Sequence, residues 1–381
     1  MIHDYDAIVV GLGIAGASLT HALSRRGLRT LGLEARAPGH THGSSHGDSR
    51  ITRTAVGEGL AYIPLAQRSE AVWADLESRG HRLRHPSGVL YLVSPDAGAN
   101  MHGTPDFLTA TQAAGDAAKV ALEPLNSTEI RARFPHFNVP DGTKALFEPG
   151  AGVLRPEACV SALLAQAPGA TLRYHEPMLA LSSDGAKAIV DTPAGRYRAP
   201  KIYLCLGAWA PAFAGGAFAR DLRVLRQILY WFAADASWSA APAWIWFHGP
   251  GAEDSFYGFP SLDGRTVKVA TEQYTTTGNP DAIDRNVSPQ EAATMHAAHI
   301  AGRLTGVSRR LVDARVCLYT HNANPAHPGR FLIGLHPTVP AATIVSACSG
   351  HGFKHAPGLA EALAGQLTGE PAFCDLSVFA A

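Results

Sequence analysis

The feature that most constrains this chain lies within its first 34 residues. An apolar strand, Ala7-Ile8-Val9-Val10, runs into Gly11-x-Gly13-x-x-Gly16, which opens a helical stretch from about Ile14 to Arg26. Gly27 stops the helix and a second apolar strand runs from Thr30 to Leu33. This alternation is a βαβ unit, and it commits the chain to a parallel sheet. The first glycine permits the tight turn, the second lets a pyrophosphate approach the backbone, and the third lets helix and sheet pack closely. The helix N-terminus then faces the phosphates. Glu34 closes the second strand about 20 residues beyond the loop, where a carboxylate accepts hydrogen bonds from both ribose hydroxyls and repels a 2′-phosphate. The spacing points to an NAD-like cofactor or FAD, not NADP.

Downstream, a second helical pattern covers roughly Leu60 to Arg79, with Leu65, Val72 and Leu76 on one side, and its facing strand is Gly88 to Val93. A polar, Gly- and Ala-rich stretch from Ser94 to Ala117 interrupts the pattern, and Thr128 and Glu129 then precede a short helical run. Gly152 to Pro156 reads as a strand end feeding a helix, with proline suited to the first helical position. Short strands near Thr171-Leu172, Ala188-Ile189-Val190 and Lys201 to Leu206 are expected to rejoin the first sheet. Residues 222 to 275 alternate and are rich in aromatics, among them Tyr230, Trp231, Trp244, Trp246, Phe256 and Phe259. They read as a large antiparallel sheet whose aromatics are mostly core, with one ligand-facing side. Pro289 to Leu304 is helical, with His296 and His299 one turn apart and expected on an exposed face rather than on a metal. Phe331 to Gly334 and Thr343 to Ser346 are strands, and Pro357 to Leu367 is a helix ending before Gly369. The fold class is α/β: a Rossmann-like nucleotide-binding domain with a parallel sheet, plus a substrate domain with a large mixed or antiparallel sheet.

Composition removes several functions. With 32 basic and 32 acidic residues the chain has no net charge, which disfavours nucleic acid as a partner. The longest weakly polar run, Ala7 to Leu19, is broken by glycines and is shorter than the roughly 20 residues of a membrane span. The acidic start, Met-Ile-His-Asp-Tyr-Asp, lacks the basic region of a secretory signal, so a cytoplasmic protein is expected. Five cysteines without a CxxC argue against a disulfide framework or a cysteine-based zinc site. His40, His42 and His46 share a loop but have no assigned carboxylate partner, and no metal is expected there.

The loop after Glu34 decides between the two cofactors. Gly43-Ser44-Ser45-His46-Gly47-Asp48-Ser49-Arg50-Ile51-Thr52-Arg53 is a small-residue turn dense in donors, placed where flavin enzymes wrap the rest of the cofactor. It occurs with Tyr62-x-Pro64-Leu65-Ala66, Tyr257-Gly258-Phe259-Pro260, Val316-Cys317-Leu318-Tyr319-Thr320 and Ser349-Gly350-His351-Gly352-Phe353-Lys354. In order and spacing along nearly the whole chain, these motifs resemble the monomeric sarcosine oxidase and N-methyltryptophan oxidase family, FAD-dependent amine oxidases of the D-amino acid oxidase superfamily.

The resemblance implies a discontinuous FAD domain (1–88, 148–221 and 318–381) and a substrate domain (89–147 and 222–317). It implies a monomer that oxidises a small secondary amine with O2, and FAD attached covalently through a cysteine thioether. By the same resemblance Gly11, Gly13, Gly16, Glu34, Ser44, Arg50, Gly350, Gly352 and Lys354 surround the cofactor, and Cys317 is the attachment cysteine. His46 and Arg50 lie beside the flavin, whose 8-methyl carbon reacts with a thiolate only when nearby cations stabilise charge on the ring. Lys268 is implicated in oxygen activation, where a cation would lower the energy of superoxide. Arg53 and Lys354 clamp the substrate carboxylate, which is otherwise costly to desolvate. His46, Tyr257 and Tyr319 position the amine.

The implied reaction removes a hydride equivalent from a C–N bond; the imine hydrolyses and O2 becomes H2O2. No active-site base is evident, so the neutral amine is the donor and activity should rise with pH. Two departures from the family pattern bear on the substrate. Glu272 replaces a histidine four residues after Lys268, and Val56 replaces a tyrosine. Both suggest a secondary amine larger or more polar than sarcosine. The alternatives are an amine dehydrogenase using another acceptor and a flavoprotein subunit without turnover; Lys268 argues against the first, and the intact clamp and oxygen site against the second.

Overall fold

In the computed structural model, which describes residues 2–251 and 253–381, the glycine-rich βαβ unit sits at the centre of a six-stranded sheet. The order is Thr171–Arg173, Thr30–Leu33, Ala7–Val10, Ile202–Leu204, Val339–Ser346 and Leu332–His336, with only the last strand antiparallel to its neighbour. Ala7–Val10 and Thr30–Leu33 are buried at every position, as a parallel sheet covered on both faces requires. One face packs Val9, Tyr203 and Val345 against the helices Ile14–Arg25, Ile63–Ser78 and Ala356–Thr368. The other packs Ile8, Leu31 and Ile344 against a second, four-stranded sheet.

That second sheet corrects one expectation. Ala188–Thr192 does not rejoin the parallel sheet; it pairs antiparallel with Ala180–Ser183 and Gly195–Ala199, and Ile2–Asp4 adds to the edge. The connections are too short for a parallel crossover, which needs a dozen residues or more. Asp184-Gly185, in the first of these turns, is the local hairpin signal.

The aromatic segment builds a sheet of eight strands. Val307–Asn322, Leu222–Ala234, Thr266–Ala270, Ser255–Gly258, Ala243–Phe247, Val89–Val93, Lys144–Glu148 and Glu123–Asn126 follow one another. Every neighbour is antiparallel except Ala243–Phe247 beside Val89–Val93. Successive side chains take opposite faces of a strand. Tyr230, Phe232, Trp244, Trp246 and Phe256 therefore share one core with Trp238. Trp231, Ala270, Cys317 and Tyr319 form a cluster on the reverse face, with Tyr257 packed against it.

Two further expectations change. The stretch Ser94 to Ala117 is not wholly irregular, because Phe107–Ala118 is a helix whose N-cap Asp106 accepts from Thr109 N at 3.3 Å. Its glycines disguised it, yet Gly115 is there for close packing: a Cβ would overlap Leu122. His296 and His299 lie in a wide turn that continues the helix Pro289–Met295, and both are half-buried rather than exposed. His299 Nδ1 is 3.0 Å from His248 Nε2. Among the described residues no helix is long and apolar enough to cross a membrane.

The glycine loop gives a contrast that can be measured. A Cβ on Gly16 would overlap the carbonyl oxygen of Gly11, whereas one on Gly27, at φ 78°, would meet nothing within 4 Å. Gly16→Val is expected to lower stability by about 3 kcal/mol or more, as overpacking against backbone does. Gly27→Asn should stay within about 1 kcal/mol. Thermal midpoints of the two variants decide; equal midpoints would contradict the close helix–strand approach.

Candidate active site

The glycine loop, the residues around Glu34 and the 43–53 loop line one cavity of about 500 Å³. Gly11, at φ 88°, turns the chain so that Leu12 N donates to Glu34 Oε2 at 2.9 Å. Glu34 Oε1 accepts from Arg36 N at 3.0 Å and lies 3.3 Å from His40 Nε2. Burial works to raise the Glu34 pKa, but His40 and the Leu12 N–H outweigh it and hold the carboxyl below its usual range. The helix Ile14–Arg25 has no side-chain cap of its own at Gly13; Ser45 Oγ, from the 43–53 loop, accepts from Ile14 N at 2.9 Å. A hydroxyl in a glycine-rich loop gives no sign that it will fold back on a helix terminus 31 residues away.

Arg50 fastens that loop. Its guanidinium donates to Ser44 O and Ser49 O, both at 2.7 Å, and lies 3.6 Å from Cys317 Sγ. Ser44 Oγ donates to Leu318 O. Burial raises the Cys317 thiol, and Arg50 acts in the opposite direction. Lys268 donates from Nζ to Gly47 O at 2.7 Å and Ser49 O at 2.8 Å, and lies 4.3 Å over the Phe259 ring. Apart from the family resemblance it would read as a surface lysine, yet it is only 3% exposed. Burial, then Arg50, hold its pKa well below the usual lysine range. Burial, Arg50 and Lys268 hold His46 at about 3, so its imidazole is neutral.

The Tyr257 and Tyr319 hydroxyls are 3.0 Å apart and line the cavity. Burial pushes both phenols above their usual range, which keeps them protonated. Arg53 and Lys354 meet at a third group absent from the sequence-level site. Glu58 Oε1 is 2.7 Å from Arg53 and 3.1 Å from Lys354 Nζ, with a side chain 2% exposed. Arg53 also donates to Ala55 O at 2.7 Å and lies over the rings of Tyr91 and Phe107, the latter from the unforeseen helix. Burial dominates the shift of Lys354, whose pKa falls to about 8 although Glu58 opposes this.

The cavity is thus lined by Gly11, Gly13, Glu34, Ser44, Arg50, Arg53, Tyr257, Glu272, Tyr319, Gly350, Gly352 and Lys354. Gly16, His46, Lys268 and Cys317 are not on its wall: Gly16 packs the helix onto the loop, and the other three support the 43–53 loop or the sheet face behind it. Val56 lies at 0% exposure in the helix-side core, so it does not shape the cavity directly. His102 and His351 also lie on the wall. Among the described residues no group of three or more His, Cys, Asp or Glu is placed to hold a metal ion; His40 turns to Glu34 and His46 to Gly43 O.

A glycine-rich βαβ turn with Glu34 behind it, sharing one cavity with the cationic pair Arg53 and Lys354, is the kind of site a nucleotide-dependent oxidoreductase needs. The sequence matches the DAO family, FAD dependent oxidoreductase, over residues 6–366, and the chain belongs to that family. It is similar to monomeric sarcosine oxidase of Streptomyces avermitilis, 36% identical over 94% of this chain and 92% of the relative. It is also similar to N-methyl-L-tryptophan oxidase of Yersinia pestis (strain Pestoides F), 30% identical over 99% of this chain and 98% of the relative. Among solved structures, the open form of NikD, an unusual amino acid oxidase essential for nikkomycin biosynthesis, aligns with a TM-score of 0.82 at 25% identity, covering 99% of this chain and 97% of the other. L-proline dehydrogenase from P. horikoshii shares the fold, with a TM-score of 0.79 at 17% identity over 100% and 97%. The protein is therefore an FAD-dependent oxidoreductase, and the Gly11 turn, the helix that starts at Ile14 and the Glu34 carboxylate fit the dinucleotide.

Lys354 makes the charge of the Arg53–Lys354 pair pH-dependent. Its folded pKa lies below the usual lysine value, so the ammonium is present below about pH 8 and lost above it. The dissociation constant of an unreactive carboxylate such as propionate, followed by flavin absorbance, is expected to rise above about pH 8. In Lys354→Arg that rise should vanish, because guanidinium stays charged. A flat profile in the unaltered protein would remove Lys354 from the clamp.

Proposed function

We propose that the protein is an FAD-dependent oxidase of secondary amino acids, cleaving a C–N bond oxidatively and releasing H2O2. The observation that carries this is the single cavity lined by the dinucleotide loop, by Arg53 and Lys354, and by the Tyr257–Tyr319 pair. Relatives named for sarcosine and N-methyl-L-tryptophan oxidation, matched over nearly the full chain, support the substrate class and the monomeric state.

FAD, when bound, accepts the hydride equivalent and hands its electrons to O2. The chain supplies the rest. Arg53 and Lys354 together carry two positive charges against the one of Glu58, which leaves one for the substrate carboxylate. Tyr257 and Tyr319 stay protonated, so they orient the amine by hydrogen bonding and do not abstract a proton. His46 is neutral and equally unsuited to be a cation. The substrate reacts as the free amine, so turnover rises with pH through the substrate's own ionisation until loss of the Lys354 charge raises KM. Water hydrolyses the imine, and an N-methyl substrate gives formaldehyde.

Cys317 is the proposed thioether attachment, with Arg50, 3.6 Å from Sγ, favouring its thiolate. Lys268, whose amine ties down Gly47 and Ser49, is the proposed oxygen-side residue. The proposed FAD domain is 1–88, 148–221 and 318–381, and the proposed substrate domain 89–147 and 222–317. Sheet membership supports the division: every strand of the parallel sheet comes from the first set, and the eight-stranded sheet comes from the second apart from Glu148, the last residue of its strand, and residues 318–322, the end of the strand Val307–Asn322.

Purified protein should be yellow, and the colour should stay in the acid-precipitated pellet. In Cys317→Ser the pellet should be white and the supernatant yellow, while a yellow pellet would place the link elsewhere. N-methyl amino acids should bleach the flavin anaerobically, and admission of air should release peroxide. Lys268→Met should slow reoxidation about 10²-fold, the usual scale for losing one preorganised electrostatic group, and spare anaerobic bleaching. Unchanged reoxidation would exclude Lys268 from the oxygen step.

A further inference from the structure

The cavity wall carries a second acid that the clamp does not use. Glu272, just past the strand Thr266–Ala270, lines the cavity with its side chain 10% exposed. Tyr274 Oη donates to its Oε2 at 2.7 Å. Its Oε1 accepts no hydrogen bond among the described residues and faces His102 Nε2 at 3.6 Å. Among the described residues no lysine or arginine lies within ion-pair distance of it. Burial above all holds His102 at about 4, so the imidazole is neutral at pH 7 and leaves the charge of Glu272 uncompensated.

The other end of the wall has the opposite balance, since Arg53 and Lys354 share Glu58. Two imidazoles separate the two carboxylates. Glu58 Oε1 is 3.9 Å from His351 Nδ1, the His351 and His102 rings are 4.7 Å apart, and His102 Nε2 reaches Glu272. His102 Nδ1, His351 Nδ1 and Glu58 Oε2 are buried without a hydrogen-bond partner. The backbone holds this wall closely: at Gly350, φ 85°, a Cβ would stand 2.6 Å from Glu272 Oε1 and 3.0 Å from His102 Cε1. In an α-amino acid the carboxylate and the reacting nitrogen are bonded to the same carbon. A substrate gripped by the clamp therefore keeps that nitrogen near it, and a carboxylate beyond two rings meets whatever lies further along the molecule.

We propose that Glu272, whose carboxylate is held by the Tyr274 hydroxyl, is a cation-accepting subsite. The preferred substrates are then secondary amino acids that carry a second positive group, ammonium or guanidinium, on the side chain or the N-substituent. This rests on the secondary-amine oxidase function proposed above and narrows its substrate class. A carboxylate in a poorly solvated wall is costly unless it is paired. A cationic substrate supplies the partner, a neutral one leaves Glu272 unpaired, and an acidic one adds repulsion.

The test compares kcat/KM for sarcosine and for the Nα-methyl derivatives of lysine, norleucine and glutamate, in the unaltered holoenzyme and in Glu272→Gln. The lysine derivative should exceed its uncharged counterpart by about tenfold or more, chiefly through KM, as expected for a partly desolvated charge pair. The glutamate derivative should be the poorest. In Glu272→Gln the lysine-to-norleucine ratio should fall to about twofold or less, with the bound-flavin absorbance spectrum showing that the variant is folded. A ratio near one in the unaltered enzyme, or one that Glu272→Gln leaves unchanged, overturns the subsite. Bleaching by sarcosine and the norleucine derivative without cation preference overturns the subsite and leaves the secondary-amine function standing. No bleaching by any of the four overturns both.

Discussion

The site depends on the satisfaction of two buried basic side chains by one loop. Residues 43–53 connect the nucleotide sheet to the reverse face of the aromatic sheet, and they are held there by carbonyl oxygens turned inward. Arg50 takes Ser44 O and Ser49 O, and Lys268 takes Gly47 O and Ser49 O. Glu157, in the first turn of the helix Pro156–Ala165, accepts from Gly47 N at 2.6 Å and so holds the same turn by its donor side. A buried charge is tolerated only with hydrogen-bonding partners, and a buried carbonyl needs a donor. Each group here meets the need of the other, and one turn becomes common to both sheets. The short, small-residue composition of the loop follows from this: Gly47, at φ 96°, also lies where a Cβ would crowd Leu229.

Period two in the aromatic sheet does for the reacting side what the glycine loop does for the nucleotide side. Trp231 is in register with Lys268, Leu229 with Ala270, and Ala270 with Tyr257. Gln227 lies opposite Cys317 and Leu225 opposite Tyr319. Residues more than 50 positions apart in the chain thus share one face. Trp244 and Trp246 take the other face, and the rigidity of that core fixes the side chains behind the cavity.

Legibility in the sequence followed the range of the interaction. The βαβ unit, the Gly27 stop and the proline-started helix Pro156–Ala165 are set by neighbours within a few residues, and all lie where local chemistry put them. The helix Phe107–Ala118 was hidden because Gly115 answers a packing need imposed by Leu122, not a turn. Ala188–Thr192 was assigned to the wrong sheet because strand patterning says which face is buried but not what covers it. Motif resemblance carried Arg53, Lys354, Tyr257 and Tyr319 to one cavity; it did not carry Glu58, which stands five residues after Arg53 and reads locally as a solvated loop acid.

Glu58 nonetheless explains how the proposed clamp can exist at all. Two cations converging in a buried pocket repel one another and lose hydration, so without an internal acid Arg53 and Lys354 would be driven apart or neutralised. Burial does shift Lys354 downward, and Glu58 is what opposes the fall. Full compensation would serve no better, since a clamp with zero charge has no claim on a carboxylate. One acid between two bases is the arrangement that keeps both side chains in place and still leaves a single positive charge unspent. The same reasoning bears on Glu272, which among the described residues has no lysine or arginine within ion-pair distance: a carboxylate there repeats the condition of the proposed clamp with the sign reversed.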